Sequence, residues 1–333
     1  MRNLQLIVIV LTGLLSLNCT TFVLESSEQL VFGKNLDWKS STGMIIVNKR
    51  NIAKTALILP PARPMKWISK YGSISFNQFG KEFPFGGMNE KGLVIELMIV
   101  NGNYPSMENR PALNELQWIQ FQLDQSQTVE EVIQNNELVN IQKINQVIHF
   151  LIADSNGNKA VIEFDKNGSK VYQRDQLPYP VLENNTYPVS LEKLSNGNNC
   201  RFKSVVDLTN NIKPESNFAN EAFLILDHVK LQGSWSIVYD IRQKQIHFKT
   251  DVHPTLRMIR MDYFNFSCSQ PTVTYDLSNK DDGDITTLFL PYREKENKRI
   301  FDLGLTTNEI VLPNQLLARF YNYNNQCSCM EME

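Results

Sequence analysis

Pairs of short strand-like runs alternate with pairs of helix-like runs along this chain, and few architectures accommodate that order. Thr20 to Glu25 and Gln29 to Asn35 are rich in apolar and β-branched residues and flank the polar stretch Ser26-Ser27-Glu28, which predicts a hairpin. Thr55 to Leu59, Ser73 to Asn77 and Leu93 to Ile99 read as further strands, the first stopped by Pro60-Pro61 because proline offers no backbone N–H to a ladder. From Leu113 to Leu123 the apolar residues recur on a broad helical face, and Thr128-Val-Glu-Glu opens a second helix with a capping-box pattern. His149 to Asp154 and Ala160 to Asp165 flank Ser155-Asn156-Gly157-Asn158, a strong hairpin turn, and Lys170 to Gln173 adds a strand. A second helical pair follows over Phe202 to Leu208 and Asn217 to Val229. A hairpin then joins Ser234 to Tyr239 with Gln245 to Lys249 around Arg242-Gln243-Lys244. This order predicts an α+β fold in which antiparallel sheets are covered by helices, as one domain over residues 19 to 333, since no repeat and no charge run marks a linker. The asparagine-rich end, Tyr321 to Glu333, reads as a loose tail.

The N-terminal segment has a different character. Arg2 precedes an apolar stretch from Leu4 to Leu17, which is short for a membrane span and reads as an export leader covering residues 1 to 18. Cleavage at Asn18-Cys19 would give one residue both a free thiol and a free α-amine, a nucleophile together with its base. The expected location is therefore periplasmic or extracellular. Five cysteines in an exported chain is an odd number, which suits one thiol reserved for chemistry and up to two disulfides among Cys200, Cys268, Cys327 and Cys329. Cys327-x-Cys329 with Cys268 and His253 fits no regular zinc spacing.

Charge excludes other classes. A net charge of −2 and a pI near 6.2 give no basic excess for nucleic acid, and no later segment is apolar for long enough to span a bilayer.

Six motifs then appear in order: Cys19-Thr20-Thr21-Phe22, Gly33-Lys34-Asn35-Leu36-Asp37-Trp38, Gly87-Met88-Asn89-Glu90-Lys91-Gly92-Leu93, Asn184-Asn185-Thr186, Cys200-Arg201-Phe202 and Trp235-Ser236-Ile237-Val238-Tyr239-Asp240. In that order the chain resembles the choloylglycine hydrolases and penicillin V acylases over most of residues 19 to 250. The resemblance implies an N-terminal-nucleophile hydrolase with a four-layer αββα sandwich of antiparallel sheets, cleaving a linear amide bond without a cofactor. It implies that Cys19 is the nucleophile and that Asp37 holds its α-amine. Lys34 falls where most relatives have arginine, so it keeps the charge but loses the planar fork, and an edge-strand lysine in solvent is the other reading of it. Arg201 resembles the family's second arginine and would favour the thiolate. Asn89 resembles the asparagine that donates into the oxyanion hole, although Asn-Glu-Lys-Gly is also a turn signal. Asn184 matches a further family asparagine, with Asn185 beside it as the alternative.

The implied partner is a small N-acyl amide, for which the family offers phenoxyacetyl penicillins, conjugated bile acids and N-acyl amines. An apolar acyl pocket around Trp38, Trp67, Phe83, Phe85 and Met88 is expected. A homo-oligomer is compatible with the resemblance, but only sixteen residues separate Asn184 from Arg201, fewer than in bile-salt hydrolases whose long insertion helps assemble tetramers. Asn184 also opens an Asn-Asn-Thr glycosylation triplet, and a sugar there would block the pocket. Two other functions compete: an envelope or binding protein anchored through a lipid on Cys19, without catalysis, and an enzyme with an internal Cys-His pair, which the four histidines do not suggest by spacing.

Overall fold

The computed structural model describes residues 19–106, 109–231 and 234–330, and the expected leader lies outside them. The first hairpin forms as Thr20–Glu25 and Leu30–Asp37, paired antiparallel with Thr20 opposite Asn35. It supplies the second and third strands of a seven-stranded sheet in the order Val181–Leu182, Thr20–Glu25, Leu30–Asp37, Ser234–Asp240, Gln245–Thr250, His253–Arg260, Gly283–Asp284. A nine-stranded sheet runs in the order Gly168–Gln173, Lys159–Asp165, Ile148–Ala153, Val94–Ile99, Gly86–Asn89, Ser73–Asn77, Met44–Asn48, Val273–Asp276, Leu290–Pro291.

The inner faces of the two sheets meet in an aromatic layer. Phe76 of the larger sheet lies 5.6 to 6.4 Å from the rings of Phe248, Trp235 and Tyr239 of the smaller one. Helices cover the outer faces. On the larger sheet, α1 (Glu115–Gln125) and α2 (Val129–Asn136) pack with Trp118 stacked on Phe150 at 4.1 Å. On the smaller sheet lie α3 (Tyr187–Ser195), α4 (Arg201–Asn210) and α5 (Phe218–Val229). The result is the four-layer αββα sandwich that the resemblance implied. Asn35 joins two of the layers, donating to the Leu226 carbonyl of α5 at 2.7 Å and accepting from Ser236 at 2.7 Å.

Several expectations change. The strand expected over Thr55 to Leu59 ends where it was meant to begin: Ile52–Thr55 pairs with Lys66–Ile68, and Ala56 onward leaves the ladder. The Thr128 cap forms, its hydroxyl accepting from Glu131 N at 3.2 Å, while the Glu131 carboxylate reaches the Gln127 N–H rather than that of Thr128. The tail is not loose as far as residue 330. Tyr323 is buried, Ser328–Cys329 pairs with Ala53 and Ile52, and Cys329 is disulfide-bonded to Cys268. Cys19, Cys200 and Cys327 are free thiols. That tail is held by α6 (Glu294–Thr307) and α7 (Asn314–Tyr321), which were not foreseen. The buried face of α6 is Asn297, Ile300, Phe301 and Gly304, a helical spacing concealed by a polar and a small residue. Both are structural: Asn297 accepts from Lys81 N at 2.7 Å, and a Cβ on Gly304 would sit 2.6 Å from the Gln78 carbonyl.

Candidate active site

Cys19 lies immediately before the first strand and is wholly buried. Antiparallel pairing brings the start of that strand beside the end of the next, so Thr20 faces Asn35 and Asp37 comes close to the sulfur. Burial pushes the Cys19 thiol up. Lys34 opposes this as the leading attraction, Asp37 adds to the rise through its charge while its peptide N–H favours the sulfur anion, and Arg201 also favours it.

Arg201, the first residue of α4, gathers the other groups. One of its amino groups donates to Thr20 Oγ1 at 3.1 Å and approaches Asp37 Oδ2 at 3.4 Å, and the second donates to Asn184 Oδ1 at 3.3 Å. Asp37 is buried, and burial pushes it up to about 6 against the opposing pull of the Leu231 N–H, 3.2 Å from Oδ1, and then of Arg201 and Lys34. Asn184 donates to the Ile99 carbonyl at 2.8 Å, so the C-terminal end of the Val94–Ile99 strand borders the site. Asn185 turns away and donates to Glu183 at 2.7 Å.

Lys34 is 1% exposed in a strand flanked on both sides, which overturns the reading of a solvated edge lysine. Its ammonium donates to the Leu97 carbonyl, lies 3.4 Å from Met98 Sδ and is 3.9 Å from Glu96 Oε2.

Asn89 is not in this group. Its amide donates to the carbonyls of Leu123 at 3.0 Å and Ser126 at 2.7 Å, and its oxygen accepts from the Lys91 and Leu93 N–H groups. The expected oxyanion donor is therefore a cap on the C-terminal end of α1, holding its own turn in place. Leu93, which it binds, precedes by six residues Ile99, which Asn184 binds, a separation of about 20 Å along an extended strand.

The expected acyl pocket also divides. Trp38 and Phe85 stay together, ring centres 6.0 Å apart, next to Asp37. Trp67 instead donates to Asp124 at 2.7 Å under α1, Phe83 packs on Phe320 and Tyr323 of the C-terminal segment, and Met88 is buried in the larger sheet. A Cys-His pair finds no support at His149, whose two ring nitrogens are taken by Glu163 at 2.9 Å and the Glu183 carbonyl at 2.8 Å. Among the described residues no group of three His, Cys, Asp or Glu side chains is placed to hold a metal ion, and no helix is long and apolar enough to cross a membrane.

Sequence reading missed Glu96, Tyr239 and Thr20. A signal existed for the first, since Glu96 is the one charge within the otherwise apolar run Leu93 to Val100.

The arrangement combines a buried thiol, two cations and a carboxylate of raised affinity for its proton. Its cations offset part of the rise that burial imposes on the thiol, and its carboxylate can orient an amine beside the sulfur. Comparison with known proteins gives it a family. Over 191 residues the chain is 26% identical to a penicillin V acylase from Pectobacterium atrosepticum, covering 48% of each. Over 171 residues it is 25% identical to a bile salt hydrolase/transferase from Clostridium perfringens, covering 47% of this chain and 51% of that one. The chain thus spans about half the length of the curated relatives it matches. In fold it is similar to a penicillin V acylase from Agrobacterium tumefaciens, with a TM-score of 0.71 at 20% identity, covering 83% of this chain and 98% of the other. It is similar also to a conjugated bile acid hydrolase variant from Clostridium perfringens, with a TM-score of 0.65 at 20% identity and coverage of 79% and 98%. A sequence model of that group matches residues 19–222, and the chain belongs to the linear amide C-N hydrolases, choloylglycine hydrolase family.

Proposed function

We propose that this chain is an exported hydrolase that, once cut before Cys19, cleaves the amide bond of a small N-acyl substrate through a thioester on Cys19. The observation that carries the reading is the convergence of Asp37, Lys34 and Arg201 on a buried Cys19, with Arg201 bonded to Thr20, Asp37 and Asn184 at once.

The chemistry follows from what a free N-terminus adds. An α-amine titrates near 7.7 to 8.0 when unperturbed, close enough to neutrality to exchange protons with both reaction partners. The Cys19 thiol gives its proton to the α-amine, and the sulfur attacks the amide carbonyl. The tetrahedral oxyanion then collapses as the α-ammonium passes a proton to the departing nitrogen, leaving an acyl thioester and a free amine. Water adds to the thioester with the α-amine accepting its proton, and the acid leaves as the thiol is restored. Asp37 is the anchor for the α-ammonium, because its carboxylate is buried and already held by Arg201. Asn184 spends one amide proton on Ile99 and keeps the other for an oxyanion. Trp38 and Phe85 supply an apolar wall for the acyl group.

The similarity to a penicillin V acylase and a bile salt hydrolase/transferase sets the panel: phenoxyacetyl, bile-acid and long-chain acyl amides. Mature protein beginning at Cys19 should hydrolyse at least one of them. Protein carrying a single extra alanine ahead of Cys19, or Cys19→Ser, should not. Turnover by the extended form, with its α-amine blocked in a peptide bond, would remove the reading.

A further inference from the structure

Behind Cys19, where the sheets face each other, lies a charged pair whose acidic member the proposed reaction does not use. Lys34 comes from the smaller sheet and Glu96 from the larger one, and both are 1% exposed. Tyr239, also wholly buried, donates its hydroxyl to Glu96 Oε1 at 2.5 Å. Space for the carboxylate exists because the residue opposite Glu96 in the ladder is Gly86. A Cβ there would lie 2.2 to 2.3 Å from the carboxylate's three atoms. Four strands, two from each sheet, therefore converge to seat one acidic side chain beside a buried ammonium.

A buried ammonium is costly to leave without a counter-charge, and the carboxylate beside it offsets that cost. The other ionisable groups facing the pair are Cys19, Asp37 and Arg201 on the side of the sulfur and Tyr239 on the side of Glu96. Of the groups that favour the Cys19 anion, Lys34 stands first. Resting on the reading of Cys19 as the nucleophile, we propose that Glu96 is a positioning residue, seated by Tyr239 and Gly86, that holds the Lys34 ammonium in place behind the sulfur. Burial pushes Glu96 up to about 7, with Lys34 and the Tyr239 hydroxyl pulling it down, so its ionised form is favoured by both neighbours. The same argument accounts for a lysine at this position: its single ammonium is met by a carboxylate and a carbonyl supplied by the facing strand.

The test reads the thiolate directly, without substrate. The ultraviolet absorbance of the Cys19 thiolate in mature protein is titrated against pH, as the difference from Cys19→Ser in the same background, which cancels Cys200 and Cys327. Glu96→Gln keeps the shape and the tyrosine contact but removes the charge. Its titration midpoint should move upward, leaving about tenfold less thiolate at neutral pH, because a nearby cation lowers an acid by about one unit or more. Tyr239→Phe should move it the same way by less, and it carries the test if the glutamine variant does not fold. In a Lys34→Met background, Glu96→Gln should change nothing further, which separates an action through Lys34 from general loosening of the interface. A midpoint in Glu96→Gln or Tyr239→Phe that stays or falls, or an equal shift without Lys34, overturns the proposal. A protein that shows the expected shifts but hydrolyses no amide of the panel would defeat the hydrolase reading alone.

Discussion

Replacing Asn89 by alanine separates two roles that one motif suggests. As an oxyanion donor, Asn89 would contribute about 2.7 to 4 kcal/mol to lowering the barrier, and its loss would reduce kcat/KM by about 100- to 1000-fold with little change in stability. The structure places its effect in folding instead. The side chain is wholly buried and makes four hydrogen bonds, two to the carbonyls at the end of α1 and two from the Lys91 and Leu93 N–H groups. Alanine leaves at least three buried backbone groups without partners, at about 1 kcal/mol each, so the cost is about 3 to 4 kcal/mol. A chain of 315 residues, Cys19 to Glu333, has an unfolding entropy of about 0.65 kcal/mol per kelvin, which converts this to a Tm lower by about 5 K. Thermal unfolding followed by circular dichroism at fixed scan rate reads that change, and kcat/KM measured well below the transition should match the parent protein. Asn184→Ala provides the contrast, with kcat/KM lower by about 100-fold or more and Tm nearly unchanged. If Asn89→Ala loses its activity at a temperature where it remains folded, the assignment of Asn89 to α1 capping is wrong.

Two further outcomes follow from buried charges. Burial pushes Asp37 up to about 6, and under the proposed mechanism it must be ionised to hold the α-ammonium, so kcat/KM should fall as pH drops through that value. Asp37→Asn should abolish activity. The effect on stability runs the other way: a folded value above the ordinary 3.8 means the native state holds the proton more tightly, so burying this carboxylate costs stability that is absent below about 4 and complete above about 6. An acid limb that persists unchanged in any residual activity of Asp37→Asn would show that another group sets it. Under α1, Lys54 lies 2.7 Å from Glu82 and 2.9 Å from Asp124, all three buried. Lys54→Met should cost about 3 to 5 kcal/mol, or about 5 to 8 K in Tm. Glu82 is held down at about 2, below its ordinary 4.5, chiefly by Lys54, so its contribution is complete above 4.5 and is lost toward 2. The Tm difference should therefore shrink on acidification, and one that stays constant from neutral pH to pH 3 would contradict the account.

Much of the architecture was legible because it is written in local chemistry. The hairpin around Ser26-Ser27-Glu28 needs only its β-branched flanks and polar turn, and Asn156-Gly157 offers a glycine where the turn takes φ of +84°. The segments less well read are those whose core face includes polar or small residues with distant partners. α6 is an example, because Asn297 is needed by Lys81 and Gly304 by Gln78, contacts invisible until the C-terminal segment returns to the larger sheet.

The site divides in the same way. The grouping of Cys19, Asp37 and Arg201 was legible in sequence because it follows from short motifs, and a hairpin alone brings the first two together. Where a polar side chain spends its hydrogen bonds is a different matter, since it depends on which elements lie across from it. Only the packed structure could send Asn89 to the end of α1, turn Asn184 toward Arg201 and Asn185 away, and bury Lys34 against Glu96. Residue chemistry specifies what a group is able to do, and the approach of two sheets with their covering helices decides which of those abilities remain available.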